Sequence, residues 1–594
     1  MSSMLYRSAR LLSASTAKRQ RRQVAGVVLG RTSGWKQVRG AAAVAVASTG
    51  NDGSFGDGGR LRQCKHSGSM KSFRGGVAAA EKRLLHNAAA ATDKEPEEVV
   101  LLSSSKTRKT VDKIALLEGR KGRFPMDKPF PGLPPLKPPG ELKRPETLTT
   151  TLPNGLRVAS QETYGALCTF GVIIDAGSRL ETDLNAGTCH LLELMAFKST
   201  GTRSHQQVVS EFEEMGGTTS THGSRDQMLY CVDVLRDNLE PAMELLADTV
   251  VNPRVTAEEV EEQKAVMSFQ LEDTMADVIM RESLMTAAFA EQPLGRPYWC
   301  PPAALPKLEA SMVRDFRKRH FTAGNMVLAG AGVDHEELVR LGEKYFGGLR
   351  VGGEAGGAGT GAAGVAESRY SGGEERHVIP ADKEKLTRVA VAFKVGGWHD
   401  DLLVATCVLQ VLLGGGDSFS AGGPGKGMYS RLYREILNRY YWAEAAEAFS
   451  MIHDEAGLLG IAGAAADKAR AGQLMHVFCE HFATLATVLV TDEELSRARN
   501  MLKCNVLTHL ESRLVLFEDI GRQMLTYGRR ETPEEVCAKI DAVTAEDLMA
   551  VARRALATPP SLSVVGSDLD GVPTHEQVCS WFMPPPAEQS DTGA

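Results

Sequence analysis

The stretch "CHLLELMAFKST", Cys189–Thr200, holds the pattern on which the reading of this chain turns. Residues three and four apart share a helix face, so H-x-x-E-H would set two imidazoles on one zinc ion with a glutamate beside the metal-bound water. Zinc brings the pKa of that water near neutrality, and the glutamate takes its proton. Here the pattern runs His190, Leu191, Leu192, Glu193, Leu194. Leucine has no lone pair, so a helix that begins as a hydrolytic one lacks its second ligand.

On the N-terminal side, "TLTTTLPNGLRVASQE" (Thr147–Glu162) sets β-branched residues around an Asn-Gly pair, the signature of a hairpin. On the C-terminal side, "KLEASMVRDFRKRHFTAGNMVLAGAG" from Lys307 has a counterpart in "KIDAVTAEDLMAVARRALATPPSLSVVGS" from Lys539, about 230 residues later. Each reads as a helix, capped by Ser311 or Thr544, followed by a strand of small and branched residues. "CTFGVIIDAGSR" and "TRVAVAFKVGGWHD" match more loosely, as apolar strands ending in glycine and followed by a helix. The economical reading is an internally duplicated α+β module, each copy a sheet backed by helices. The copies span 144–350 and 376–594, and the Gly/Ala-rich stretch 351–375 between them reads as a flexible linker.

Ahead of the modules, 1–50 holds nine Lys or Arg and no acid, the composition of an organelle transit segment, which a basic nucleic-acid-binding arm would share. Residues 51–143 are rich in Gly, Ser and Ala and end in a proline-rich strap. Without the first fifty residues, 59 basic residues face 74 acidic ones, a balance that attracts basic polypeptides. Nucleic acid is not expected as a partner. No run approaches the roughly 18 apolar residues of a membrane helix. Ten cysteines with no C-x-x-C pair suit free, mostly buried thiols.

The second module carries "LLGGGDSFSAGGPGKGMYSRLYREILNR", Leu412–Arg439. A phosphate loop fails here, because G-x-x-x-x-G-K-[ST] needs glycine at Ser420 and a hydroxyl at Gly427. Seven glycines between Gly414 and Gly427 instead offer mobility and bare backbone to an extended peptide. The following "SRLYREILNR" reads as an amphipathic helix anchoring one end.

From about Arg144 to Phe582 these stretches, with "GGTTSTHGSRDQMLYCVDVL" and "LLADTVVNPRVTAEEVEEQKAVMSFQLEDT", resemble the pitrilysin-type zinc peptidases, and among them the mitochondrial processing peptidase subunits. The resemblance implies that each module is a mainly antiparallel sheet packed with helices. It also implies a third zinc ligand about seventy-five residues past the motif and a glutamate seven residues earlier. Those places fall on Gln270 and Gln263, so His190, Glu193, Leu194, Gln263 and Gln270 form a degenerate site with no catalytic residue and no metal of its own.

In that family a loop like Gly414, Gly415, Gly416, Ser418, Phe419, Ser420, Gly422, Gly423, Pro424, Gly425, Lys426 and Gly427 belongs to the non-catalytic subunit and recognises presequences. The resemblance thus implies a substrate-recognition subunit with zinc in a β-type partner, basic presequence peptides as ligands, and residence in the mitochondrial matrix, with possible association with the inner membrane. A core subunit of the cytochrome bc1 complex shares the same fold and degenerate motifs and is the competing expectation, and one chain can serve both roles.

Overall fold

The protein is described by a computed structural model covering residues 145–352, 367–418 and 427–582. The expected transit segment and N-terminal extension, and most of the linker, lie outside the described residues. The first half builds a six-stranded sheet from β1 (Thr147–Thr151), β2 (Arg157–Gln161), β3 (Leu167–Ile174), β4 (Thr218–Gly223), β5 (Met228–Leu235) and β6 (Met326–Ala331), ordered β1-β2-β6-β3-β5-β4. The second half builds another from β7 (Gly373–Val378), β8 (Thr387–Gly396), β9 (Gly415–Asp417), β10 (Ala443–Ile452), β11 (Ala456–Ala465) and β12 (Ser561–Gly566), ordered β7-β12-β8-β11-β10-β9. Each sheet has one parallel pair, β2 with β6 and β7 with β12, and is otherwise antiparallel.

Matching the parallel pairs equates β2, β6, β3, β5 and β4 with β7, β12, β8, β11 and β10, neighbour by neighbour and direction by direction. The architecture is a duplicated α+β module, with β1 and β9 added at opposite edges. The Asn-Gly hairpin joins β1 to β2: Gly155 takes φ 90°, and Asn154 accepts from the Leu156 amide at 3.1 Å while donating to the Phe346 carbonyl at 2.9 Å.

The helices of the first half are α1 (Thr188–Leu194), α2 (His205–Glu214), α3 (Leu239–Val251), α4 (Ala257–Glu272), α5 (Ala276–Phe289), α6 (Ala310–His320) and α7 (His335–Phe346). Those of the second half are α8 (Leu403–Leu413), α9 (Lys468–Thr487), α10 (Asp492–Leu510), α11 (Arg513–Tyr527), α12 (Pro533–Ala542), α13 (Ala545–Leu556) and α14 (His575–Phe582). Alternate residues of β3 face opposite layers: Phe170, Val172 and Ile174 pack with the helices of their own half, while Ile173 faces Phe517, Ile520 and Met524 of α11. The reverse holds for β8, where Val389, Val391 and Phe393 face their own helices and Ala390 and Ala392 meet Met280, Leu284 and Ala288 of α5. Each half therefore lends one helix to the other's sheet. Cover on both faces explains why β3 and β8 read as near-continuous apolar runs.

The exchange is tight and tied by polar groups. A Cβ on Gly521 of α11 would lie 2.0 Å from Ile173 Cδ1 and 3.2 Å from Ala329 Cβ, so only glycine fits without displacement. Ser283 and Ser563 hydroxyls bond at 2.7 Å between α5 and β12, and Arg157 Nη1 donates to the Met524 carbonyl at 2.8 Å.

Three expectations are corrected. Ser311 does not cap α6, which begins two residues earlier than that cap would allow, with Glu309 at the cap and no side-chain cap bond, whereas Thr544 caps α13 with Asp547 in a capping box. The stretch read as linker ends before Glu375: Gly373–Glu375 open β7, and the Ser371 amide already donates to the Ala288 carbonyl at 2.9 Å. The segment "SRLYREILNR" contains a single π-helical turn, Tyr433–Leu437, whose Tyr433, Ile436 and Leu437 are buried; it is an anchor, but not an extended helix. Of the nine described cysteines six are buried, Cys537 and Cys579 are half-buried, and Cys504 is exposed. Among the described residues no single helix is long and apolar enough to cross a membrane.

Candidate functional site

Helix α1 presents the motif. His190 is buried, its Nε2 is 3.0 Å from Gln270 Oε1, and its Nδ1 accepts from the Cys300 amide at 3.3 Å. The amide fixes Nδ1 as the acceptor, so Nε2 carries the proton and donates to Gln270. Burial pushes the imidazole pKa below its ordinary value, against the opposing pull of Gln270 and Glu282, and the ring is neutral. Trp299 packs edge-on at 4.8 Å and Tyr298 lies at 6.0 Å between ring centres.

Glu193 is held as firmly. The Tyr298 hydroxyl and the Gly223 amide, at 3.2 Å, both donate to Oε2, and His222 Nδ1 lies 3.7 Å from Oε1. Burial, with Arg522 adding to it, brings the His222 pKa down to about 3, so this ring carries no charge toward Glu193 at neutral pH. A Cβ on Gly223 would sit 2.2 Å from the Tyr298 hydroxyl, so β4 needs glycine there to let the tyrosine in. Leu194 packs against the apolar core, and Gln263 is buried on α4, two turns before Gln270.

The structure thus brings His190 and Gln270 into contact, with Glu193 and Leu194 on the same short helix. The donor set does not fit zinc: the imidazole of the motif is occupied by an amide, the second position is a hydrocarbon, and the carboxylate is locked to a phenol. Among the described residues no group of three His, Cys, Asp or Glu could hold a metal ion. Without a metal-bound water, these groups serve to fasten α1 to α4, β4 and the Tyr298–Cys300 segment. Sequence reasoning missed that segment, although two aromatics in "RPYWCPP" are an unusual loop composition that asks for a packing partner.

The glycine-rich stretch follows α8, the helix that occupies in the second half the place α1 occupies in the first. Its first residues are not loop. Gly415–Asp417 form edge strand β9 on β10, with Asp417 opposite Ala445 and Gly415 opposite Glu447, and the Ser418 amide donates to the Glu444 carbonyl at 2.8 Å. Glycine is required at the turn into it: Gly414 has φ 57° with a Cβ position 2.4 Å from Ser430 Cβ, and Gly415 has φ 102° with one 2.0 Å from the Ala446 carbonyl oxygen. Ser430 ties both feet, its hydroxyl accepting from the Gly415 amide at 3.0 Å and its own amide donating to the Gly427 carbonyl at 2.9 Å. Gly416, Ser418 and Gly427 are placed by these contacts. Phe419, Ser420, Gly422, Gly423, Pro424, Gly425 and Lys426 lie outside the described residues. Beside the second foot is an apolar pocket of about 610 Å³, lined among others by Leu412, Met428, Tyr429, Ala498 and Met501.

A third polar centre joins the halves. Arg179 pairs with Asp226 at 3.2 Å and with Glu455 at 3.1 Å, and His453 Nδ1 lies 2.6 Å from Asp226. Nearby, burial and then the charge of Asp226 push the Asp175 pKa up to about 7, against Arg179.

Residues 157–302 match the family model described as insulinase (peptidase family M16), and residues 307–502 match the model described as the peptidase M16 inactive domain. The chain is 38% identical over 456 residues to the mitochondrial-processing peptidase subunit alpha of Solanum tuberosum, covering 76% of this chain and 87% of the relative. It is 36% identical over 481 residues to the subunit of the same name from Pongo abelii, covering 77% and 89%. The chain belongs to peptidase family M16, in its mitochondrial-processing peptidase alpha-subunit branch. The Neurospora crassa member is 33% identical over 494 residues, covering 72% of this chain and 85% of its own. In this family setting the two sheets are the two M16 domains.

Proposed function

We propose that this chain is the substrate-recognition, non-catalytic subunit of a heterodimeric mitochondrial processing peptidase that removes presequences from imported precursors. The observation that carries the reading is that the M16 donor positions on α1 and α4 hold Leu194 and Gln270, in a chain whose relatives are named alpha subunits. Zinc and peptide cleavage fall to a β-type partner, and the pair works in the mitochondrial matrix. Support for the recognition role comes from the glycine-rich stretch: its first foot is edge strand β9 and Ser430 bonds both feet, so the described ends of the stretch are held in place.

The test is reconstitution. The chain alone does not cleave a presequence peptide, and cleavage appears on adding the β-type partner. Deleting Phe419–Lys426, which leaves both feet intact, raises KM for the peptide while the partner and its zinc stay bound. Chelator-sensitive cleavage by the chain alone overturns the reading. So does unchanged turnover after the deletion together with migration of the chain only in a large respiratory assembly.

A further inference from the structure

Helix α4 has two dissimilar faces. Inward, Val260, Gln263 and Met267 are buried and Gln270 reaches His190. Outward, at steps of three and four residues, Glu258, Glu262, Val266, Phe269 and Asp273 are all exposed, with Met275 just beyond. Phe269 is 72% exposed and Val266 40%. A single exposed apolar residue is ordinary. Val266 and Phe269 stand one turn apart on the same helix face instead, and carboxylates bracket them at both ends.

Around this pair the carboxylates Glu258, Glu261, Glu262, Glu272 and Asp273 outnumber the ammonium groups of Lys264, Lys307 and Lys383. Lys264 is drawn to Glu261 at 2.8 Å and to the carbonyls of Pro306 and Leu308, and Lys383 sits on the Glu272 carbonyl at 2.8 Å. An apolar ridge in an acidic frame complements a basic segment that carries large apolar side chains. The first 22 residues of this same chain have that chemistry, with Arg7, Arg10, Lys18, Arg19, Arg21 and Arg22 among Leu5, Leu11 and Leu12 and no acid.

We infer that the outward face of α4, centred on Phe269, is a docking surface for such basic, apolar-bearing peptides. The inference rests on the reading of the chain as a presequence-handling subunit and places part of that handling on a named face. Apolar side chains of the peptide cover Phe269 and Val266 while its arginines meet the carboxylates at the two ends of the helix.

The test measures fluorescence anisotropy of a labelled peptide with the sequence of residues 1–22, titrated with the full chain and with its reconstituted heterodimer. Phe269→Ser weakens binding by about tenfold, the scale expected when one buried aromatic anchor is truncated. Glu258→Gln with Glu262→Gln weakens it less and flattens its dependence on salt, since fewer exposed charges remain to be screened. Phe269→Trp restores affinity, and Tyr441→Ser, an exposed aromatic of the second half, changes nothing. Unchanged affinity in the Phe269 and Glu variants, with the unsubstituted chain binding normally, overturns the docking assignment alone. Loss of the partner from Phe269→Ser with peptide affinity intact also overturns it and makes the face a subunit contact. If the unsubstituted chain and heterodimer both fail to bind the peptide, the functional reading itself falls.

Discussion

Gly521→Ala tests whether α11 belongs to the core of the first sheet. A residue in mid-helix gains about 1 kcal/mol on going from glycine to alanine through backbone propensity alone. Against this, the new methyl would stand 2.0 Å from Ile173 Cδ1, 3.1 Å from Ile173 Cγ1 and 3.2 Å from Ala329 Cβ. Rotation of Ile173 cannot relieve the contact with Ala329 Cβ, which is fixed to the sheet backbone, so the helix must lift or the sheet must give, at about 1–3 kcal/mol for an overpacked site. The net expectation is a loss of about 1 kcal/mol. Ile173→Val removes Cδ1 and by itself costs about 0.5–1.5 kcal/mol. In the double variant the alanine methyl takes space that Cδ1 vacated, so the two changes together cost about 1 kcal/mol less than their sum. Urea unfolding of the four proteins, followed by circular dichroism, closes the cycle. Additivity within about 0.5 kcal/mol, or a Gly521→Ala protein stabilised by the full propensity gain, would falsify the close docking of α11.

Three further outcomes follow from the sites described. An acid whose pKa is raised by folding holds a proton that the unfolded chain releases, so Asp175 removes stability as pH rises from its ordinary 3.8 through about 7, and the loss is absent below that window. Asp175→Asn therefore raises Tm more at pH 8 than at pH 5, and an equal shift at both would count against it. Ser430→Ala leaves the Gly415 amide without its acceptor, so amide exchange across Gly415–Ser418 accelerates in mass spectrometry while global Tm moves little; unchanged exchange would mean that the hydroxyl is not the latch. Leu194→His binds no stoichiometric zinc by elemental analysis, because Gln270 still holds His190 and supplies no carboxylate; a metal-loaded variant would refute the account of the donor set.

Much of the architecture was written in local pattern. Asn154-Gly155 announced its hairpin because that turn needs a left-handed residue, and the Lys307 and Lys539 stretches revealed the duplication because both end in a helix followed by a strand of the parallel pair. Leu194 was decisive without any structure, since no fold gives a hydrocarbon a lone pair. What stayed hidden was partnership. The apolar residues of α5 and α11 show that each is buried, but periodicity does not say in which half, and the exchange depends on contacts more than a hundred residues apart. The start of the glycine-rich stretch was misread for a related reason: glycine usually weakens strands, yet Gly415 is in one because only a bare backbone can approach Ala446 so closely. Ser311 lost its capping role to a two-residue shift that composition does not resolve.

The helix exchange sets a timetable for biosynthesis. The strand that completes the first sheet ends at Ala331, and the helix that covers its second face begins at Arg513. At roughly 5–20 residues per second of translation, the apolar face that holds Ile173, Val327 and Ala329 waits on the order of ten to thirty-five seconds for its cover. A nascent chain truncated anywhere in that interval carries a finished sheet with a sticky side, which is a chaperone client by construction. The same delay means that the gene cannot be cut between its repeats and expressed as two self-sufficient pieces, although its ancestry as a tandem copy suggests that it could.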